Sequence, residues 1–238
     1  MIGQISNRFC KTSINCDYIQ LDICGLNSNE SLEKLKLFKK NNSNITKIIL
    51  HGDWTKKGFS ENNILIRKDE YISTIKLLKD YVDIIGITIH PPFRNKINFK
   101  DFLDCCKEIE KYTDVFIENR SNCKIYLSIP SEIIDFSNSG FKMTLDIPQL
   151  LISCNYDLNL FFNCLNNINH KNIIEYHIAN IVKKEKNTFV GRILDDKNGL
   201  LDYSKIIKYL NKDSFFTLEI LGGINVFDKQ QIIFQKMF

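Results

Sequence analysis

Eight short apolar runs rich in β-branched residues recur along the 238-residue chain with amphipathic stretches between them, and this alternation restricts the fold more than any other feature. The runs are Ile2–Ser6, Tyr18–Ile23, Lys47–His51, Ile84–His90, Val115–Glu118, Lys142–Asp146, Ile173–Ile178 and Phe215–Leu221. Helical spacing fills the intervals: Glu30–Lys40, Lys68–Tyr81, Phe99–Tyr112, Ser131–Phe136 behind Pro130, Leu158–Leu165, Tyr203–Leu210 with Asp202 as N-cap, and Asp228–Lys236. No linker or repeated block interrupts them, so residues 1–238 read as a single α/β domain. Eight such units in this length predict a (β/α)8, or TIM, barrel. An open doubly wound sheet is the alternative, but no Gly-rich phosphate loop follows the first run.

Composition narrows the class further. With 44% hydrophobic and 25% charged residues the chain is ordinary globular material, which sets aside disordered, collagen-like and disulfide-scaffold folds. Its formal charge of +4 is scattered, giving no reason to expect a nucleic-acid or membrane partner. The 37 Ile, 27 Lys and 26 Asn against the single Ala179 read as the imprint of an AT-rich coding genome. No stretch approaches the roughly 18 apolar residues of a membrane helix, and no basic leader precedes an apolar run, so a soluble, cytoplasmic protein is expected. The eight cysteines form no C-x-x-C pair, and they read as free, mostly buried thiols.

In such a barrel the chemistry sits at the C-terminal ends of the strands. Here those ends are polar: Asp22, His51, His90, Glu118, Asp146, His177 and Glu219, including three of the four histidines. Converging imidazoles and carboxylates make a nitrogen and oxygen donor set suited to Mn, Fe, Co or Zn. Each residue also has a plainer reading. Asp146, ahead of Ile147-Pro148, can cap a helix. His51 can be a packing residue, and His90, before Pro91-Pro92, part of a rigid turn. Glu118 and Glu219 stand in apolar runs, where burying a carboxylate without a partner costs several kcal/mol, so a metal or another cation is the economical explanation. His170 reads as a surface loop residue.

The ordered motifs Ile-Leu-His51-Gly, Thr-Ile-His90-Pro-Pro, Phe-Ile-Glu118-Asn119-Arg120, Thr-Leu-Asp146-Ile-Pro-Gln149, Tyr-His177-Ile-Ala-Asn, Gly199-Leu-Leu-Asp202-Tyr and Thr-Leu-Glu219-Ile resemble one superfamily. It joins the xylose-isomerase-like sugar isomerases and epimerases with the endonuclease IV-like barrels (AP endonuclease family 2). The resemblance to the epimerases implies one divalent metal on Glu118, Asp146, His177 and Glu219, with the two glutamates also acting as bases about a metal-stabilised ene-diolate. It also suggests Lys183 as a cationic substrate contact, although Lys183-Lys184-Glu185-Lys186 reads equally as a solvated loop. The resemblance to the endonucleases implies a three-zinc cluster, matched in part: His51 and His90 with Glu118 reproduce one further metal position. Gln149 stands where a third-metal histidine is expected, and the loop Asn187–Asp196 has no Asp-x-His. The iron-dependent oxidases that modify peptide cysteines are similar at their Glu-Asn and Leu-Asp strand ends.

The leading expectation is a sugar or sugar-phosphate isomerase or epimerase with a small, carbohydrate-like substrate. Its cofactor would be Mn, Co or Mg at one site, or Zn or Fe if there are two or more. His51, His90 and Gln149 are then substrate contacts or a second metal site, and Trp54, Arg192, Asn119 and Arg120 lie at the pocket rim. A metal-dependent hydrolase, a multinuclear iron oxidase and a barrel that binds without catalysis are the alternatives, and a homo-oligomer stays open.

Overall fold

All eight apolar runs form strands, and the strands close on themselves. The computed structural model describes residues 1–6, 16–52, 64–184 and 187–238. Its barrel strands are β1 (Ile2–Ser6), β2 (Tyr18–Asp22), β3 (Lys47–His51), β4 (Asp83–Ile89), β5 (Asp114–Glu118), β6 (Met143–Asp146), β7 (Ile173–Ile178) and β10 (Phe215–Leu218). Each pairs in parallel with its sequence neighbours, and β10 returns to β1, so the sheet has no open edge. Around it lie α1 (Ser28–Asn41), α2 (Ile64–Leu78), α3 (Phe99–Glu110), α4 (Pro130–Ser137), α5 (Ile147–Ser153), α6 (Leu158–Asn167), α7 (Tyr203–Ile206) and α8 (Ile224–Gln235). This is the (β/α)8 barrel expected from the alternation.

The helices follow from their sequence. In α1, Asn27 and Glu30 form a reciprocal capping box, and Leu32, Leu35 and Phe38 bury one face against the barrel. Asp202 caps α7 through the Ser204 N–H, as its position suggests. Among the described residues no helix is long and apolar enough to cross a membrane. Five of the described cysteines, Cys16, Cys105, Cys106, Cys154 and Cys164, are buried, and burial pushes the Cys16 thiol up to about 12.

Two elements correct the sequence reading. Helix α5 is absent from it, because seven residues show little periodicity and Pro148 suggests a turn; in the first turn of a helix, proline costs nothing. The segment read as a loop at Asn187–Asp196 instead supplies β9 (Asn187–Arg192), which pairs antiparallel with β8 (Asn180–Lys184) as a hairpin after β7. Ile181, Val182 and Thr188–Val190 carry the β-branched and aromatic character that permits it.

Strand alternation turns every second residue into the lumen. At its floor Tyr18, Ile49 and Phe116 pack together, with the Tyr18 ring edge-on to Phe215. Glycines make room for these rings: a Cβ on Gly3 would overlap Tyr18, and one on Gly86 would lie 2.5 Å from the Phe116 ring and 3.0 Å from the Asp114 carbonyl oxygen. Gly86→Ala is therefore expected to lower stability by about 1–3 kcal/mol through overpacking, seen as a reduced urea midpoint at unchanged slope. Wild-type stability in that variant would contradict this account of the floor.

Candidate metal centre

The same alternation that makes the floor apolar makes the mouth ionisable. His51, Glu118, Asp146 and His177 end or nearly end β3, β5, β6 and β7, while His90 and Glu219 lie one residue beyond β4 and β10. The paired registers Asp146↔His177 and Asp22↔His51 show neighbouring strands ending level, and the Glu219 N–H donates to the Ile178 carbonyl (3.0 Å), fixing Glu219 beside β7. The mouth residues meet across the lumen. The His51 and His177 rings, from opposite sides of the barrel, stack with centroids 5.9 Å apart, and His51 meets His90 edge-on at 5.1 Å.

Glu118 is the hub. Its Oε2 lies 2.9 Å from His90 Nε2, 3.5 Å from His51 Nε2 and 3.7 Å from His177 Nδ1, while Oε1 faces the Arg120 guanidinium at 3.3 Å. His51 Nδ1 sits 3.0 Å from the Gly52 carbonyl oxygen, an acceptor that places the ring proton there and leaves Nε2 available as a ligand. His177 Nδ1 lies 3.4 Å from Glu219 Oε1 and is buried with no hydrogen-bond partner among the described residues. Asp146 does what its plainer reading said, accepting the Gln149 N–H (2.7 Å) at Oδ1 as the N-cap of α5, which leaves Oδ2 outside that bond.

Burial and crowding set the electrostatics. Burial raises the Asp146 pKa, and the charges of Glu118 and Glu219 add to it, placing it well above the usual carboxylate value. For Glu118, burial acts upward but His90 and His177 overcome it, and the pKa falls well below the usual value. Burial opposes protonation of His177, yet Glu219, Glu118 and Glu175 together raise its pKa well above that of a free imidazole. Glu118, Asp146, Glu219, His51, His90 and His177 thus gather nitrogen and oxygen donors at one mouth, beside Arg120, with their protonation set by one another.

Three sets of side chains have ligand atoms close enough to share an ion: His51, His90 and Glu118; Glu118, Asp146 and His177; and His51, His177 and Glu219. The donor chemistry, the position of His177 Nδ1 between Glu118 and Glu219 with no hydrogen bond among the described residues, and the hub position of Glu118 fit divalent metal.

Other residues singled out in the sequence have partners of their own. Gln149 accepts the Ser121 hydroxyl. Lys183, on the exposed hairpin, places its ammonium 4.1 Å over the Tyr156 ring, and Arg192 pairs with Asp196 at 2.9 Å; among the described residues neither contacts the cluster. Asn119 is a clamp rather than a rim residue, joining β5 to β6 through both the N–H and the carbonyl of Asp146. Trp54 lies outside the described residues. His170 corrects the surface-loop reading: it is partly buried, with Nδ1 2.8 Å from the Tyr176 hydroxyl and Nε2 2.7 Å from the Leu165 carbonyl oxygen. Sequence reasoning missed Gln20 and Glu175, both fully buried beneath the centre. The signal was available, since Glu175 stands two residues before His177 and alternation turns both inward.

No protein-family model matches the chain, and no curated protein does either. A comparison with solved structures finds endonuclease IV from Thermus thermophilus, with a TM-score of 0.66 and 12% identity over 99% of this chain and 98% of that one. The chain thus shares, over nearly its whole length, the (β/α)8 barrel fold of that structure.

The raised Asp146 pKa has a measurable consequence. The folded, metal-free protein holds the Asp146 proton more tightly than the unfolded chain, so stability falls as pH rises from the unfolded value, about 3.9, through the higher folded one. Asp146→Asn is expected to be more stable than wild type by about 0.5–2 kcal/mol in urea with chelator at pH 7, and no more stable below about pH 4. A loss of stability at pH 7 would contradict the assignment of Asp146 as a charge the fold tolerates at a cost.

Proposed function

We propose that this chain is a divalent-metal-dependent hydrolase of phosphodiesters, working with two ions that share Glu118. The observation that carries the reading is the single carboxylate oxygen, Glu118 Oε2, set among three imidazoles from β3, β7 and the residue after β4. His51 and His90 would hold one ion with Glu118. Asp146 and His177 would hold the other, with Glu219 in reach of His177. Such ions supply activation of water near neutral pH and neutralisation of charge at a phosphoryl oxygen. The protein's part is to fix the ligands: the Gly52 carbonyl sets His51, α5 anchors Asp146 at Oδ1, and Arg120 holds the second oxygen of Glu118.

Two dications outweigh the three carboxylates, so the loaded mouth attracts an anion. A nucleic-acid backbone is the first substrate to test, because a protein that matches this fold over 99% of the chain is an endonuclease. Two ions are proposed rather than three because Gln149 is engaged by Ser121 and β9 brings no ligand to the cluster among the described residues.

One observation favours a second reading, the one-metal sugar isomerase or epimerase. The Glu219 side chain is 25% exposed against 2% for Glu118, which supports a role for Glu219 as a base open to substrate. In that reading Glu118, Asp146, His177 and Glu219 hold the ion, and His51 and His90 contact substrate.

Protein purified without chelator or affinity nickel is expected to carry two equivalents of Zn, Mn or Fe and to cleave bis(p-nitrophenyl) phosphate or an abasic oligonucleotide. His90→Ala should lower that rate about 100-fold, the equivalent of ~3 kcal/mol, and lose one equivalent of metal. One equivalent in the wild type, with epimerisation of a ketose or its phosphate and no phosphodiesterase, would replace this reading by the second.

A further inference from the structure

Below the metal centre and above the apolar floor lies a layer of a different kind. Glu175 on β7 is fully buried inside the barrel, and its carboxylate accepts four side-chain hydrogen bonds. Oε1 accepts the Gln20 side-chain N–H (3.0 Å) and the Thr217 hydroxyl; Oε2 accepts the hydroxyls of Thr88 (2.7 Å) and Thr144 (3.0 Å). These donors come from β2, β10, β4 and β6, so the layer ties four strands of the barrel to one side chain on a fifth. The lumen at this level usually holds branched apolar residues. A carboxylate there costs several kcal/mol in desolvation before its hydrogen bonds are made, and a purely structural layer would not need the charge.

What the charge faces is His177. Glu175 Oε2 is 3.5 Å from His177 Nε2, and the Gln20 side-chain N–H donates to that atom at 2.7 Å when the ring proton is on Nδ1. The opposite nitrogen, Nδ1, points up between Glu118 and Glu219. Ligation at Nδ1 puts the ring proton on Nε2, which displaces the Gln20 N–H from that atom and leaves Glu175 as the charged acceptor on that side.

We propose that Glu175 is a positioning residue of the metal centre, holding the His177 ring from below so that Nδ1 is presented to an ion and its donor strength is increased. Gln20, Thr88, Thr144 and Thr217 keep the carboxylate in place. The inference rests on the metal-centre reading and adds to it a residue that touches neither ion nor substrate. Acceptors behind ligating histidines typically change metal affinity about 10–100-fold.

The test is titration of the full chain, stripped of metal, with Co2+ and Zn2+, following the visible Co2+ bands and the apparent Kd. Glu175→Gln keeps the shape of the side chain and removes its charge. It is expected to weaken binding about 10–100-fold and to alter the Co2+ spectrum while the far-ultraviolet dichroism stays wild-type. Thr88→Val, which removes one donor from Oε2, is the second variant should Glu175→Gln not fold, and is expected to weaken binding in the same direction by less. Gly86→Ala, in the floor, controls for stability alone and should leave the Kd unmoved. Wild-type affinity and spectrum in both Glu175→Gln and Thr88→Val would overturn the role of Glu175 while leaving the metal centre standing. Failure of the wild type itself to bind either ion would overturn the centre, and this inference with it.

Discussion

Placing carboxylates inside a closed parallel barrel is costly unless something inside answers their charge, and in this protein that requirement organises the lumen from floor to mouth. Glu175 is answered by three threonine hydroxyls and a glutamine amide. Glu118 and Glu219 are answered by imidazoles, and Glu118 also by the Arg120 guanidinium. The contrast is chemical. Hydroxyls can saturate one carboxylate, whereas three carboxylates crowded around His177 push each other's protonation apart, leaving Glu118 ionised and Asp146 inclined to stay protonated.

The layered lumen explains how the fold serves the site. Rings and glycines fill the floor, the polar layer fixes the heights of β2, β4, β6 and β10 around Glu175, and the strand ends are thereby held level at the mouth. Asn119 extends that control sideways by clamping both backbone polar groups of Asp146, and α5 then starts from the Asp146 side chain. Asp146 is thus cap, charge and ligand candidate at once, which makes it the residue where stability and function conflict most directly.

Much of this was legible in the sequence, for a definite reason. Strand periodicity is two, so a polar residue closing an apolar β run lies either in the lumen or outside it, and the residues His51, His90, Glu118, Asp146, His177 and Glu219 all fell on the lumen side. The same rule marks Glu175 and Gln20, but an interior carboxylate away from the mouth contradicts the usual apolar filling, so the pattern drew notice only to the strand ends. Contacts made through folding rather than through pattern were not legible: the Tyr176 partner of His170, the Tyr156 ring under Lys183, and the hairpin pairing of β8 with β9. Short elements such as α5 offer too few residues for a period to emerge.

The central claim is that Glu118 is shared between two ions. Anomalous diffraction from crystals grown with zinc or manganese addresses it directly, since each bound ion appears as its own peak. The account expects two peaks per chain, both in contact with Glu118, one beside His51 and His90 and the other beside Asp146 and His177. A single peak held by Glu118, Asp146, His177 and Glu219, with His51 and His90 away from metal, would contradict it.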